Sequence, residues 1–273
     1  MKFKYLIIAF CIIIIIVVSF ALFLPPLISG QFTAFNISLF SIPIMIFIAL
    51  ILAGMTVFLL LNYRLLSLLE REDWPALAYY LEQKVFVKGR YTNRNVKILA
   101  SSYLIISDYQ SVLKLESKAQ SARPSVISKN VLVFGSARIL SGAYDEAAFF
   151  FRTHREKCSK DVKQWVRWFY GFTSLLSGNF AQAESEFSSL AAASSNALIS
   201  GLSAYFLSSF LEKKSLSPEK CRNISDSGKN RVTKSVKNQA GWKKETEKMG
   251  TDIHVAIIKR YIDETCKWLF GEN

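Results

Sequence analysis

The chain has few of the residues that catalytic and metal-binding sites require. It has two histidines, His154 and His254, and four cysteines without a CxxC pair. Neither histidine belongs to a set of Cys or carboxylate residues with metal-ligand spacing. No glycine-rich phosphate loop, nucleophile elbow or paired-carboxylate motif is present. The sequence therefore predicts a protein that is not an enzyme and has no catalytic, cofactor-binding or metal-binding residues.

The N-terminal part lacks charge. No charged residue occurs from Tyr5 to Tyr63, and a Pro-Pro pair at 25–26 divides this stretch into two apolar runs. About 20 apolar helical residues cross the roughly 30 Å hydrocarbon core of a bilayer. We therefore predict a transmembrane hairpin over residues 1–63, with spans at about 5–24 and 42–62. A cleaved signal peptide is the alternative for the first span, which is longer than a usual signal core and has no cleavage motif after it.

The basic residues that flank the two spans predict their orientation. Lys2 and Lys4 precede the first span and Arg64 and Arg71 follow the second, whereas residues 25–41 contain no Lys or Arg. Basic flanks stay on the cytoplasmic side. We therefore expect a multi-pass protein of the plasma or inner membrane, with both termini and the helical domain in the cytoplasm.

An aromatic residue recurs at a nearly fixed period beyond the second span. Trp74, Tyr109, Tyr144 and Phe180 are separated by 35, 35 and 36 residues. Such a period is typical of stacked helix pairs. Two positions before each aromatic residue the chain should turn between helices, and in the last two units a glycine stands there, Gly142 and Gly178, suited to the positive φ that ends a helix.

The last two units resemble the tetratricopeptide repeat (TPR) family. The matching positions are Gly135, Gly142, Tyr144 and Ala147 in one unit and Gly171, Gly178, Phe180 and Ala183 in the next. The resemblance covers about residues 60–211 and is specific for 128–193; the closing proline of the family is absent. It implies a right-handed superhelix of antiparallel helix pairs. The predicted fold is thus all-α, with a two-helix transmembrane hairpin followed by a TPR-like α-solenoid over residues 64–211. An ordinary helical bundle is the alternative.

In the TPR family the first helix of each pair lines a concave groove that binds peptides or helices. By this resemblance six residues form a candidate partner-binding groove: Leu132, Ser136, Trp165, Trp168, Phe169 and Phe172. Large aromatic residues are enriched at binding hot spots. They also pack against a protein's own helices, and residues 252–273 form a predicted C-terminal amphipathic helix with a suitable apolar face. Both interpretations stay open at the level of sequence.

Residues 212–251 are rich in basic, Gly, Ser and Asn residues. Positions 213–248 contain eleven Lys or Arg and four acidic residues. With little apolar periodicity, the segment is predicted to be flexible. Its charge suits anionic lipid, whereas nucleic acid is less favoured because Trp242 is its single aromatic residue.

Taken together, these features predict a membrane-anchored, TPR-like scaffold or adaptor that mediates protein–protein interaction or complex assembly at the membrane. Its expected partners are the lipid bilayer and proteins that the sequence does not identify. Two alternatives are lipid or nucleic-acid binding through residues 213–248, and a membrane hairpin with a regulatory helical cap.

Overall fold

The computed structural model describes residues 41–250 and 252–271, together with Ile12, Ile13 and Ile16. All regular secondary structure in these residues is helical. The chain divides into two compact units, Met1–Tyr80 and Leu81–Asn273, so the division falls later than the predicted 63/64 boundary. The α-helices are α1 Ser41–Glu70, α2 Trp74–Glu82, α3 Asn93–Ile105, α4 Tyr109–Ala122, α5 Ser125–Lys129, α6 Val131–Leu140, α7 Tyr144–His154, α8 Lys160–Leu176, α9 Phe180–Ala193, α10 Ala197–Phe206, α11 Pro218–Val236, α12 Gln239–Glu247 and α13 Ile253–Phe270. A π-helical turn, Gln83–Val87, extends α2; Leu207–Leu211 (π) and Glu212–Lys214 (3₁₀) extend α10.

Helix α1 contains the predicted second span. Within the described residues it is the one helix that is long and apolar enough to cross a membrane, over Leu50–Glu70. Many of its described large side chains are exposed, and Leu60 and Leu61 are each 72% exposed, whereas Leu65 is buried. The predicted first span, 5–24, lies outside the described residues except for Ile12, Ile13 and Ile16, which are helical. Among the described residues the structure thus supplies one candidate membrane helix, and the predicted pair is not confirmed.

The four turns of the 35-residue period share one backbone geometry. The residue two positions before each aromatic has a positive φ: 54° at Glu72, 60° at Ser107, 78° at Gly142 and 82° at Gly178. In the Gly142 turn, the Gly142 N–H donates to the Ile139 carbonyl at 3.1 Å and the Ala143 N–H donates to the Arg138 carbonyl at 2.9 Å. The same pair of bonds recurs in the other three turns. This is the Schellman motif, which satisfies the last carbonyls of a helix, and it confirms the positive φ expected at both glycines.

Small residues allow close contact within the helix pairs. Gly135 on α6 faces Phe151 on α7, and a Cβ built on Gly135 would lie 2.0 Å from the Phe151 Cζ atom. The equivalent Gly171 on α8 faces Phe187 on α9, where a Cβ would lie 3.1 Å from the ring. The two repeat alanines, Ala147 and Ala183, are fully buried. Consecutive helices therefore pack as antiparallel hairpins joined by short turns.

The prediction of a flexible segment at 212–251 is wrong for most of its length, because α11 and α12 occupy it. One face of α11 is buried through small or short side chains spaced three and four residues apart: Cys221, Ser225, Gly228, Val232 and Val236. These residues give little hydrophobic signal in the sequence, yet at this spacing they share a helix face.

Two further side chains, Arg231 and Trp242, hold α11 and α12 in place. The Arg231 side chain donates to the Ala191 carbonyl at 2.5 Å and to the Ser200 hydroxyl at 2.7 Å. Trp242 of α12 is buried and its Nε1 donates to the Ile262 carbonyl at 3.3 Å. Part of the positive charge of this segment therefore serves internal packing.

Candidate functional site

The predicted aromatic groove is the core of the second unit. Trp168 is 0% exposed, and Trp165, Phe169 and Phe172 are also buried. The Trp168 ring stacks on Phe172 with a centroid distance of 5.3 Å and meets Phe206 edge-on, also at 5.3 Å. Burial of such large side chains is a major source of folding free energy. These rings therefore stabilise the fold rather than present a free surface.

Helix α13 covers this aromatic cluster. The His254 ring lies 6.1 Å from both Trp165 and Phe169. Further along α13, the Tyr261 ring lies 5.7 Å from Phe172 and 5.0 Å from Phe206.

Two polar contacts also hold this helix, one just before its first residue and one in its C-terminal half. A salt bridge of 2.9 Å joins Lys97 Nζ on α3 to Asp252 Oδ1, just before α13. The Tyr205 hydroxyl on α10 donates to Glu264 Oε2 at 3.0 Å. Because α3, α8 and α10 are each the first helix of a pair, α13 crosses the face that the resemblance assigned to a ligand.

The assignment of the six groove residues to partner binding is therefore corrected. Leu132 and Ser136 on α6 are buried as well, and the Ser136 hydroxyl donates to the Leu132 carbonyl at 2.7 Å. An apolar helix face and an apolar groove in one chain lower the free energy by burying each other. The alternative of self-packing against the C-terminal helix agrees with the structure.

Burial also governs the titration of His254. Its ring lies among Trp165 and Phe169, and burial lowers its pKa to about 4. The nearby Asp252 carboxylate opposes this shift and the Lys97 ammonium adds to it. A charged imidazolium is disfavoured in an apolar site, so His254 is neutral where α13 is docked.

A buried carboxylate, Glu186, ties α8 and α9 together. Its Oε2 accepts from Arg167 Nε at 2.9 Å and its Oε1 accepts from Arg155 Nη1 at 3.3 Å. Two arginines satisfy both carboxylate oxygens, which is what permits a charge at this depth. The cluster has a structural explanation and leaves no carboxylate oxygen free for a ligand.

A free surface lies on the second helix of a pair, around Phe149 of α7. Phe149 is 61% exposed, and the Arg152 guanidinium lies 5.4 Å from the centre of its ring. A pocket of about 190 Å³ on one side includes Tyr170 and Asn179, and a pocket of about 550 Å³ on the other includes Arg138. Exposed aromatic rings beside arginines are typical of interaction surfaces. We call Phe149, Arg152 and the two flanking pockets the Phe149 surface.

The sequence analysis missed this surface, although a signal for it exists. Residues Phe149, Phe150 and Phe151 are consecutive on one helix. Neighbouring positions on a helix point about 100° apart, so three in a row cannot all face the same core. Phe150 and Phe151 are buried and Phe149 is not.

The residues that the structure describes offer no metal-binding cluster of His, Cys, Asp or Glu. Burial raises the pKa of the Cys158, Cys221 and Cys266 thiols. A thiol with a raised pKa is mostly protonated and weakly nucleophilic at neutral pH. These cysteines therefore lack the features of a reactive site.

Comparison with known proteins places the second unit in a family. A family profile described as "Uncharacterised Treponema protein" matches residues 111–271, more than half of the chain. The chain belongs to this family. The match begins within α4 and ends just after α13, so it includes the aromatic cluster and the helix that covers it. It is not a match to a TPR family, so that resemblance rests on the residues quoted above.

A curated relative shows the same partial coverage. An uncharacterized protein of Treponema pallidum (strain Nichols) is 37% identical over 153 residues, which is 56% of this chain and 49% of the relative. The chain thus matches about half the length of that relative. No solved structure matches the chain.

Proposed function

We propose that the protein is a membrane-anchored, TPR-like scaffold of the cell membrane that binds a protein partner through the Phe149 surface. The observation that carries this proposal is the contrast between two apolar sets. Many large apolar side chains of α1 up to Leu61 are exposed, whereas those of the predicted groove are buried, several of them against α13. A long, exposed apolar helix suits a bilayer, and the filled groove leaves the outer surface for a partner.

Two further features support a TPR-like scaffold. The turns share the Schellman geometry at a period of about 35 residues, and Gly135 and Gly171 bring paired helices into close contact. Repeat proteins of this kind present extended surfaces and act by binding. The Phe149 surface adds an exposed ring, a cation and two pockets, which are the parts of a binding hot spot. The cytoplasmic, multi-pass topology stays part of the proposal and follows from the basic flanks of the spans.

Site-specific photo-crosslinking in membranes of the native cell tests this function. A photoreactive residue at Phe149 should give a discrete crosslinked protein product, and the Arg152→Ala change should reduce its yield because the cation beside the ring is lost. The same probe at Ala181, an exposed residue of α9, is the matched control. Equal products from both positions would contradict the assignment of this surface.

Membrane anchoring is tested separately by alkaline extraction. We expect the chain to stay with the membrane pellet, since an apolar span resists conditions that remove peripheral proteins. Lysine at two exposed positions in the middle of the predicted second span, Ile51→Lys and Met55→Lys, should lower the fraction of the chain in the pellet, because lysine in the hydrocarbon is costly. The predicted first span should still retain part of the chain. Release of the unmodified chain would overturn the anchor.

A further inference from the structure

One edge of the second unit concentrates positive charge. Apart from the short α5, consecutive helices from α3 to α9 alternate in direction, so the loops between pairs lie at one edge and the turns within pairs lie at the other. The loop segments between pairs (88–95, 122–130 and 155–159), which include α5 and the first residues of α3, carry seven Lys or Arg and one acidic residue. The turns within pairs (106–108, 141–143 and 177–179) carry no Lys or Arg.

Contacts show that the loops between pairs meet at that edge. Arg123 Nη1 donates to the Tyr91 carbonyl at 3.5 Å, and Asn130 Nδ2 donates to Asn93 Oδ1 at 2.7 Å. Both bonds join the first loop to the second. The third loop lies on the same side, because α7 runs back along α6 and ends at the level where α6 begins.

Six basic side chains at this edge are exposed to solvent. We call them the basic edge: Lys88, Arg90, Arg94, Arg123, Lys129 and Lys157. None of the six forms an ion pair with another described residue. The single acid in these loops, Glu156, is paired with Lys163 and Arg155. The positive charge of the edge is thus not neutralised by the described part of the protein.

We propose that the basic edge binds the anionic headgroups of a lipid bilayer. A surface of separate Lys and Arg side chains along one edge suits many mobile negative headgroups, because each basic side chain near an anionic leaflet adds to the attraction. Nucleic acid suits it less, because Tyr91 is the one aromatic residue in these loops and single strands bind by stacking on such rings. The proposal rests on the membrane anchor of the proposed function. Because α1 and the basic edge belong to one chain, anchoring α1 in a bilayer exposes the basic edge to a high effective concentration of headgroups.

This placement differs from the lipid contact that composition suggested at 213–248. There, Arg231 is engaged with carbonyls of α9 and Arg222 is paired with Glu212. Lys214 lies 4.2 Å from the centre of the Phe180 ring. The basic edge has no such internal use of its charge apart from the bond from Arg123.

Lysine acetylation of the full chain in lipid nanodiscs, read by mass spectrometry, tests the proposal. Discs of phosphatidylcholine alone are compared with discs that also contain phosphatidylglycerol. We expect acetylation of Lys88, Lys129 and Lys157 to slow about threefold or more in the anionic discs, with high salt removing the effect. Lys220, exposed on α11 near the opposite edge, should react equally in both discs.

Two variants isolate the role of charge. Arg90→Glu with Arg94→Glu reverses part of the basic edge and leaves the three reporter lysines, and it should abolish their protection. The matched control is the double variant Lys213→Glu with Lys220→Glu. Lys213 lies at the end of the α10 extension and Lys220 in the first turn of α11, so this variant should leave the protection of the three lysines unchanged. Circular dichroism checks that both variants are folded.

Three other outcomes would overturn the proposal, and each points to a different error. Equal acetylation in both discs removes lipid binding by the basic edge, while retention of the chain in neutral discs still supports the α1 anchor. Loss of the chain from neutral discs refutes the anchor itself. Stronger protection of the three lysines by added duplex DNA in neutral discs than by anionic lipid would assign the edge to nucleic acid instead.

Discussion

Helices α1 and α8 are both rich in large apolar side chains, but these side chains are buried on α8 and many of them are exposed on α1. On α8, Trp168 and its aromatic neighbours are buried against α9, α10 and α13. On α1, side chains such as Leu60 and Leu61 face outward. The sequence pattern explains the difference. Helix α8 carries Lys163 and Arg167 beside its apolar face, whereas α1 is uncharged up to Tyr63. An amphipathic helix finds its partner within the fold, and a uniformly apolar one suits lipid.

The largest expected effect is the removal of the central ring of the α8 cluster. Trp168→Ala leaves a cavity between α8, α9 and α10, and such changes cost about 3–5 kcal/mol in the free energy of unfolding. Leu61→Ala on α1 is the matched control and should change it by less than about 0.5 kcal/mol. Urea denaturation in detergent, followed by circular dichroism, measures both. Equal losses would abolish the distinction between the two helices.

A pH titration examines the contact of α8 with α13. Because the pKa of His254 is lowered to about 4 in the folded state, the unfolded chain binds the proton more strongly. The buried, neutral His254 therefore stabilises the folded state fully above about pH 6.5. This stabilisation is lost progressively as pH falls from there towards 4, and the loss in the free energy of unfolding reaches up to about 3 kcal/mol.

The variant His254→Leu isolates that contribution. It keeps an apolar side chain against Trp165 and Phe169 and should show a weaker loss of stability between these pH values. Urea denaturation of both proteins across this range gives the comparison. Parallel pH curves would show that His254 does not couple protonation to the docking of α13.

Glycines provide a second matched pair across the same two regions. Gly135→Ala places a methyl group 2.0 Å from the Phe151 Cζ atom, so overpacking should cost roughly 1–3 kcal/mol. Gly54→Ala on α1 meets nothing within 4 Å and should be neutral or stabilising by up to about 1 kcal/mol. Thermal unfolding followed by circular dichroism distinguishes them. Tolerance of Gly135→Ala would show that the α6–α7 contact is looser than described.

The smallest expected effect concerns the alanine at the next repeat position. Ala147→Leu enlarges a buried side chain at the α7 interface and should cost on the order of 1 kcal/mol in the free energy of unfolding, because the helices must move apart to accommodate it. Ala181→Leu on the exposed face of α9 is its control, with no expected loss. A neutral result for Ala147→Leu in thermal melts would count against tightly packed helix pairs.

Features that depend on residues close in sequence were predicted correctly, whereas features that depend on contacts between distant residues were missed or left open. The turns were predictable because Gly142 and Gly178 need only their own backbone conformation to end a helix. The docking of α13 was one of two open interpretations, because apolar periodicity does not say which face an amphipathic helix meets. The α11 helix was missed because Ser225, Gly228 and Cys221 become an interface only when a neighbouring helix is placed against them.

The sequence by itself determined where the chain is uniformly apolar and where it turns with a period of about 35 residues, since both depend on residues close in sequence. Only the tertiary structure decided that the aromatic groove is covered by α13, that residues 218–236 and 239–247 are helical, and that Lys88, Lys129 and Lys157 share one edge. Each of these depends on contacts between residues far apart in the chain, and long-range packing selects among faces that local patterns leave equivalent.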